Sequence, residues 1–448
     1  MSEEKSQTIG LPKLSNSMIW MINFGFLGVQ TAFTLQSSQM SRIFQTIGAD
    51  PNNLGWFFIL PPLAGLIVQP IIGYYSDRTW APKLGGRRLP YLLLGTIVAV
   101  IVMLLLPNSG SFGFGYGSLA ALWFGAITVA FLDLSSNVAM QPFKMMVGDM
   151  VNDDQKSYAY GVQSFLSNTG AVLAAIFPFL LTWFGVPNKA AKGVVPQSVI
   201  ISFYVGAALL VITSLFTVFR VHEYDPATYA KYHGISEEDN KEGGNWLTLL
   251  RHAPKAFWTV TLVQFFCWFA FQYLWTYSAG AIASNVWHTT NATSAGYQAA
   301  GNWYGVLAAV QSIAAVIWSY VLAKVPNKYH KLGYAGSLFL GAIGFLSIFF
   351  IHDQWTLIIS YSLVGIAWAG MNTYSLTIVT NALSGKHMGT YLGLFNGSIC
   401  LPQIVASLLS FIIFPMLGGS QAHMFLLAGV VMILAALSVN TIHETYVQ

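Results

Sequence analysis

The sequence predicts an all-α membrane protein with twelve transmembrane helices, and three observations carry that expectation. Of the 448 residues, 55% are hydrophobic and only 8% are charged, about a third of the charge of a soluble globular chain. Apolar stretches of about 20 residues, the length that spans a bilayer as a helix, recur along the chain. They lie near residues 17–40, 53–75, 90–107, 117–141, 157–184, 198–219, 256–284, 298–323, 333–351, 355–379, 388–414 and 421–441. The basic residues alternate with them. Seventeen of the 20 Lys and Arg residues fall in the N-terminal tail and around the loops after segments 2, 4, 6, 8 and 10, with Lys144 and Lys156 at the loop after segment 4. The other side keeps Arg42, Lys189 and Lys192. By the positive-inside rule both termini are cytoplasmic, and the net charge of +4 reflects topology rather than affinity for nucleic acid.

The polar first sixteen residues show no signal-peptide pattern, so none is expected to be removed. Segment 1 carries Asn23, Gln30, Thr34 and Ser37 or Ser38 as a polar stripe at helical spacing. Such a stripe suits a cavity-lining helix, although hydrogen bonding between helices uses the same residues. Arg42, at its outer end, reads as an interfacial or outer-gate residue. Segment 2 closes on Gly73-Tyr-Tyr-Ser-Asp77-Arg78, followed at Gly86-Arg87-Arg88 by a second basic cluster. A carboxylate with guanidinium groups nearby can form a cytoplasmic latch, and Asp149, after segment 4, is a candidate partner.

Segment 4 is the centre of the chain. Asp133, Asn137 and Gln141 recur at i, i+4 and i+8 and so climb one face of an otherwise apolar helix. A carboxylate at mid-membrane costs about 2.5–3.5 kcal/mol on insertion scales, and no second acidic residue lies at comparable depth. Asp133 is therefore the candidate site of a coupled proton. Segment 5 offers Gln163, Ser167 and Asn168. Residues 221–255 read as a polar cytoplasmic linker between a 1–220 half and a 256–448 half, with room for one amphipathic helix; His233 and His252 lack metal-ligand spacing. Cys267 and Cys400 lie inside apolar segments and imply no disulfide.

The second half brings aromatics and amides in place of charge. Gln264, Trp268, Gln272 and Trp275 share a face of segment 7, and Tyr361, Trp368 and Asn372 share one on segment 10. Sugars present apolar C–H faces and a rim of hydroxyls, which Trp faces and neutral amides match. Lipid-facing packing is the alternative for any single Trp.

Several of these motifs resemble a known family. Gly73…Asp77-Arg78 with Gly86-Arg87-Arg88 is similar to the loop between helices 2 and 3 of the major facilitator superfamily. Gly65-Leu-Ile-Val-Gln69-Pro70-Ile-Ile-Gly73 and Leu132-Asp133-Leu-Ser-Ser-Asn137 through Pro142 to Gly148-Asp149-Met150 resemble the sucrose/proton symporters and their bacterial relatives among the glycoside-pentoside-hexuronide transporters. Gly389 to Asn396 and Ile399 to Gln403 match the helix-11 pattern. The arginine of helix 5 in the plant proteins has no counterpart in 157–184. A weak repeat, pairing Asn137 with Asn372, supports two pseudosymmetric six-helix bundles, the major facilitator fold.

The resemblance implies proton-coupled uptake of a neutral disaccharide or oligosaccharide, of the sucrose or maltose kind, by a monomer in the cytoplasmic membrane. Asp133 would bind the proton; Gln30, Asn137, Gln141, Gln264, Trp268, Trp368 and Asn372 would hold the sugar; Asp77, Arg78, Arg87, Arg88 and Asp149 would gate. No cofactor beyond the coupling ion H+, and no metal, is expected. The competing readings are a sodium-coupled glycoside porter, an exporter of another small molecule and a sensor. An enzyme is disfavoured, since no nucleophile–base pair, phosphate loop or metal cluster stands out.

Overall fold

The computed structural model describes residues 11–233, 246–322, 325–326, 329–382 and 394–442. Among these, twelve long helices account for the twelve apolar stretches. The first half comprises α1 (Asn16–Thr46), α2 (Leu54–Arg78), α3 (Leu89–Leu105), α4 (Leu119–Met150), α5 (Asp153–Trp183) and α6 (Gln197–Arg220). Two short helices follow, α7 (Pro226–His233) and α8 (Trp246–Arg251), where the sequence suggested one. The second half comprises α9 (Lys255–Val286), α10 (Ala295–Leu322), α11 (His330–Phe350), α12 (Leu357–Ala382), α13 (Gly397–Met416) and α14 (His423–Ser438). On the described residues, eleven of the twelve are long and apolar enough to cross a membrane; the other, α12, is 26 residues long and packs on α10 and α11.

Local chemistry sets where these helices begin. Ser15 caps α1 by accepting from the Met18 N–H, and Ser118 caps α4 by accepting from the Ala121 N–H. One expectation needs correcting. The apolar stretch ends near 141, with Lys144 around the loop that follows, but α4 continues to Met150, so Lys144 is an exposed residue within the helix. Hydropathy marks where a helix meets lipid, whereas backbone hydrogen bonding carries it on past that boundary.

Within the first half, α1 packs on α5 and α6, while α4 packs on α2 and α3. Gly95 of α3 makes the last of these close, for a Cβ there would lie 2.6 Å from the Ala139 backbone nitrogen. In the second half, α11 packs on α12 and α14, and α9 on α13 and α14. Between the halves, α2 meets α13 and α5 meets α10. The second helix of each half thus meets the fifth of the other, a reciprocity that a twofold relation between six-helix bundles requires.

Candidate transport site

Asp133 sits on the buried side of α4 with 5% of its surface exposed. Its carboxylate oxygens are each held by a neutral amide: Oδ1 accepts from Gln36 Nε2 at 3.2 Å, and Oδ2 accepts from Asn137 Nδ2 at 2.8 Å. Asn137 also donates to the Asp133 backbone carbonyl at 2.9 Å, so one amide grips both levels of the helical turn. The i, i+4 spacing on α4 allows that grip; the Gln36 contact comes from α1, which packs across α4. Gly65 of α2 lies beside this pair, its Cβ direction leading 3.8 Å to Asn137 Nδ2 and 3.7 Å to Cys400 Sγ of α13. Asp133 and Asn137 therefore stand where α1, α2 and α4 of one half face α13 of the other.

The other predicted residues of the first half are less tightly gathered. Gln30 is half-buried, and its Oε1 accepts from Ser167 Oγ at 3.1 Å. Gln141 is half-buried one turn beyond Asn137 on α4. Asn23, part of the same stripe as Gln30, is fully buried: its Nδ2 donates to the carbonyls of Ile19 and Ala159, and its Oδ1 accepts from Gln163. At that end the stripe joins α1 to α5.

In the second half the aromatic residues form one cluster. The ring centroids of Trp268 and Trp368 are 5.5 Å apart and nearly edge to face; Phe271 lies 5.0 Å, and Trp275 6.2 Å, from Trp368. Gln264 orients the cluster from behind. Its Oε1 accepts from Trp268 Nε1 at 2.6 Å, while its Nε2 donates to Tyr334 Oη and to the Met371 carbonyl. Asn372 is exposed and donates to the Trp368 carbonyl at 2.8 Å. One turn along α9 from Trp268, Gln272 donates to the Phe58 carbonyl of α2 at 2.8 Å. The Trp face thus adjoins a seam between the halves.

That seam is closed at the end of the bundle opposite the termini, and Arg42 is its centre. The sequence left Arg42 between an interfacial and a gating residue; the structure buries it completely. Its guanidinium donates to Gln298 Oε1, Asn302 Oδ1 and Asn188 Oδ1 at 2.7 Å each, and to Gln39 Oε1 at 3.3 Å. Gln298 and Asn302 belong to α10, so one side chain of α1 ties the two halves. These amides are themselves aimed: Gln298 Nε2 donates to Thr46 Oγ1, Asn302 Nδ2 to Thr182 Oγ1, and Asn188 Oδ1 accepts from Ser198 Oγ. Gly301 leaves the room, since a Cβ there would stand 2.5 Å from Arg42 Cδ. Ser41 donating to the Thr276 carbonyl and an amide pair between Gln45 and Gln421 extend the closure.

At the opposite end, Arg87 and Arg88 both reach Asp149 Oδ2, at 3.3 and 3.0 Å. Asp77 and Arg78 lie outside the described side chains. The linker joins this latch, a feature hydropathy could not reveal. Tyr229 of α7 donates to Asp149 Oδ1 at 3.1 Å, and its ring lies 3.7 Å beneath the Arg87 guanidinium. Glu223 accepts from the Arg88 and Leu89 N–H groups at 2.8 and 3.1 Å, capping α3. Burial pushes the Glu223 carboxyl above its ordinary range, with those N–H bonds acting in the opposite sense. The role of Gln36 and the pairing of Arg42 with its amides were likewise not legible. A single Gln among several on α1 carries no sequence signal of which helix it will meet.

Two six-helix bundles, a buried carboxyl between them and a seam closed at one end define a membrane transporter rather than an enzyme. The sequence profile of the Major Facilitator Superfamily matches residues 22–407, and the chain belongs to that family. It is similar to the sucrose transport protein SUC4 of Arabidopsis thaliana, 22% identical over 429 residues that cover 88% of this chain and 84% of the relative. It is also similar to the sucrose transport protein SUT5 of Oryza sativa subsp. indica, 24% identical over 442 residues covering 85% and 79%. Among solved structures, a D-xylose-proton symporter superposes with a TM-score of 0.69 at 13% identity, covering 96% of this chain and 98% of the other. The nucleoside transporter NupG does so with a TM-score of 0.66 at 13% identity, covering 96% and 100%. These likenesses describe the fold.

Proposed function

We propose that this protein imports a neutral disaccharide or oligosaccharide together with a proton, by alternating access across the cytoplasmic membrane. The observation that carries the proposal is Asp133, a buried carboxyl held by Gln36 and Asn137 at the junction of the halves. A carboxyl placed there can load a proton from one side and release it to the other. The named relatives that transport sucrose support a sugar as cargo. So does the composition of the second half, where half-buried Trp368 stands against buried Trp268 and Asn372 offers an exposed amide. In this proposal the sugar lies between Gln30, Asn137 and Gln141 on one side and Trp268, Trp368 and Asn372 on the other, with Gln264 holding Trp268 in position. The distribution of Lys and Arg supports cytoplasmic termini, and in that orientation the Arg42 closure is the external gate.

Proteoliposomes with an imposed inward pH gradient, offered a panel of labelled disaccharides, test this function. Concentrative uptake of at least one of them, collapsing with a protonophore, is the expected result. Uptake that ignores the pH gradient and follows sodium would replace the proton in this account, and no concentrative uptake of any sugar would remove the sugar.

A further inference from the structure

The atom that the proposed mechanism leaves unused is Gln36 Oε1. Gln36 is 4% exposed; its Nε2 holds Asp133, yet its carbonyl oxygen is buried with no hydrogen-bond partner. Orphaned buried acceptors are costly and rare. This one lies in the amide group that already touches the carboxylate.

We propose that Gln36 is a positioning residue that fits the site to both protonation states of Asp133, and so makes the coupling ion a proton. The proposal rests on Asp133 being the proton carrier. When Asp133 is ionised, Gln36 Nε2 and Asn137 Nδ2 each donate to a carboxylate oxygen, as observed. When a proton from water binds, the new O–H needs an acceptor, and Gln36 Oε1 is the free one beside it. A carboxylic acid and a primary amide then pair through two hydrogen bonds, N–H to C=O and O–H to C=O. Protonation therefore satisfies the orphan, and deprotonation to water restores it. The change needs a rotation of side-chain groups and no movement of a helix.

The same geometry disfavours a metal cation. Both carboxylate oxygens already face amide N–H groups, whose positive ends oppose a bound sodium ion, whereas hard cations want a shell of several oxygens. The titratable side chain facing Asp133 from the other half is Cys400 of α13. The nearest cations along its own helix and that of Gln36 are Lys144, eleven residues on, and Arg42, six residues on and engaged with four amides.

Infrared difference spectroscopy of the reconstituted protein, stepped from alkaline to acidic pH, tests this. A carboxylic C=O band that is absent in Asp133→Asn belongs to Asp133. In Gln36→Met, close in length but without the amide, that band is expected to move to higher frequency, because the carbonyl and hydroxyl lose their amide partner. Proton-driven uptake should fall about tenfold, the worth of one hydrogen bond, while sugar counterflow persists. Gln36→Leu serves as a second variant if Gln36→Met fails to fold. An Asp133 band unchanged in the Gln36 variants overturns the role of Gln36 and leaves Asp133 as the carrier. No Asp133 band at any pH overturns both. A band whose amplitude is titrated by sodium at fixed pH overturns the selectivity for a proton.

Discussion

Asn137 and Asn372 occupy matching places on the fourth helix of each half, and each turns its amide back onto the carbonyl four residues earlier. That carbonyl belongs to Asp133 in the first half and to Trp368 in the second. One scaffold position thus presents an ionisable group on one side and an aromatic face on the other, and each half brings what its counterpart lacks. Asp133→Asn keeps the shape and removes the exchangeable proton. It is expected to abolish uphill accumulation while leaving sugar counterflow measurable, and undiminished concentrative uptake by this variant would contradict the role. Trp368→Ala and Trp268→Ala should each weaken sugar binding by about tenfold, the worth of one lost ring contact, with the protein still in the membrane. Calorimetric titration of both variants checks this, and native affinity in the pair would move the sugar elsewhere.

At the level of elements, α1 reaches into both halves: α4 through Gln36, α5 through Asn23 and Gln30, α9 through Ser41 and α10 through Arg42. The sequence announced α1 as polar along one stripe but could not say which of its amides join helices and which face the site. Partner choice depends on the crossing of helices far apart in the chain, as with Asp133 and Gln36, 97 residues apart. Arg42→Gln removes the charge that gathers four carbonyl oxygens, so the closed seam should weaken relative to the open one. Alkylation of a cysteine introduced at Ser38, by an impermeant reagent from the face opposite the termini, should then speed up by about tenfold. An unchanged rate would mean that Arg42 does not hold the seam. The linker makes a separate prediction. Glu223→Ala uncaps α3 and should cost about 1 kcal/mol, read as a lower melting temperature in detergent. Glu223→Gln keeps the accepting oxygen without charge. Because burial raises the Glu223 pKa, its native contribution is complete below the unfolded value, about 4.3, and is lost as pH rises through the folded value. The Gln variant should therefore match the native protein at acidic pH and exceed it in melting temperature at alkaline pH.

For the whole molecule, the twelve apolar stretches were legible because bilayer thickness imposes their length on the sequence. The C-terminal end of α4 was not, because the helix runs past Lys144 to Met150 without regard to the lipid boundary. The Arg42 seam and the latch at the opposite end have different chemistry: Arg42 is held across the halves by neutral amides, whereas Arg87 and Arg88 are held within the first half by Asp149. Neither contains Asp133, so in the proposed cycle protonation acts on the seam through α1 and α4 rather than within a gate. The driving force suffices. One charge moved through 100 mV yields about 2.3 kcal/mol, and one pH unit adds about 1.4 kcal/mol, together several hundredfold accumulation. The most direct test follows the proton itself. Sugar added to lightly buffered, de-energised proteoliposomes should draw protons inward and alkalinise the medium with the native protein, and should give no pH change with Asp133→Asn. Sugar entry without proton movement in the native protein, or an equal alkalinisation with Asp133→Asn, would contradict the account.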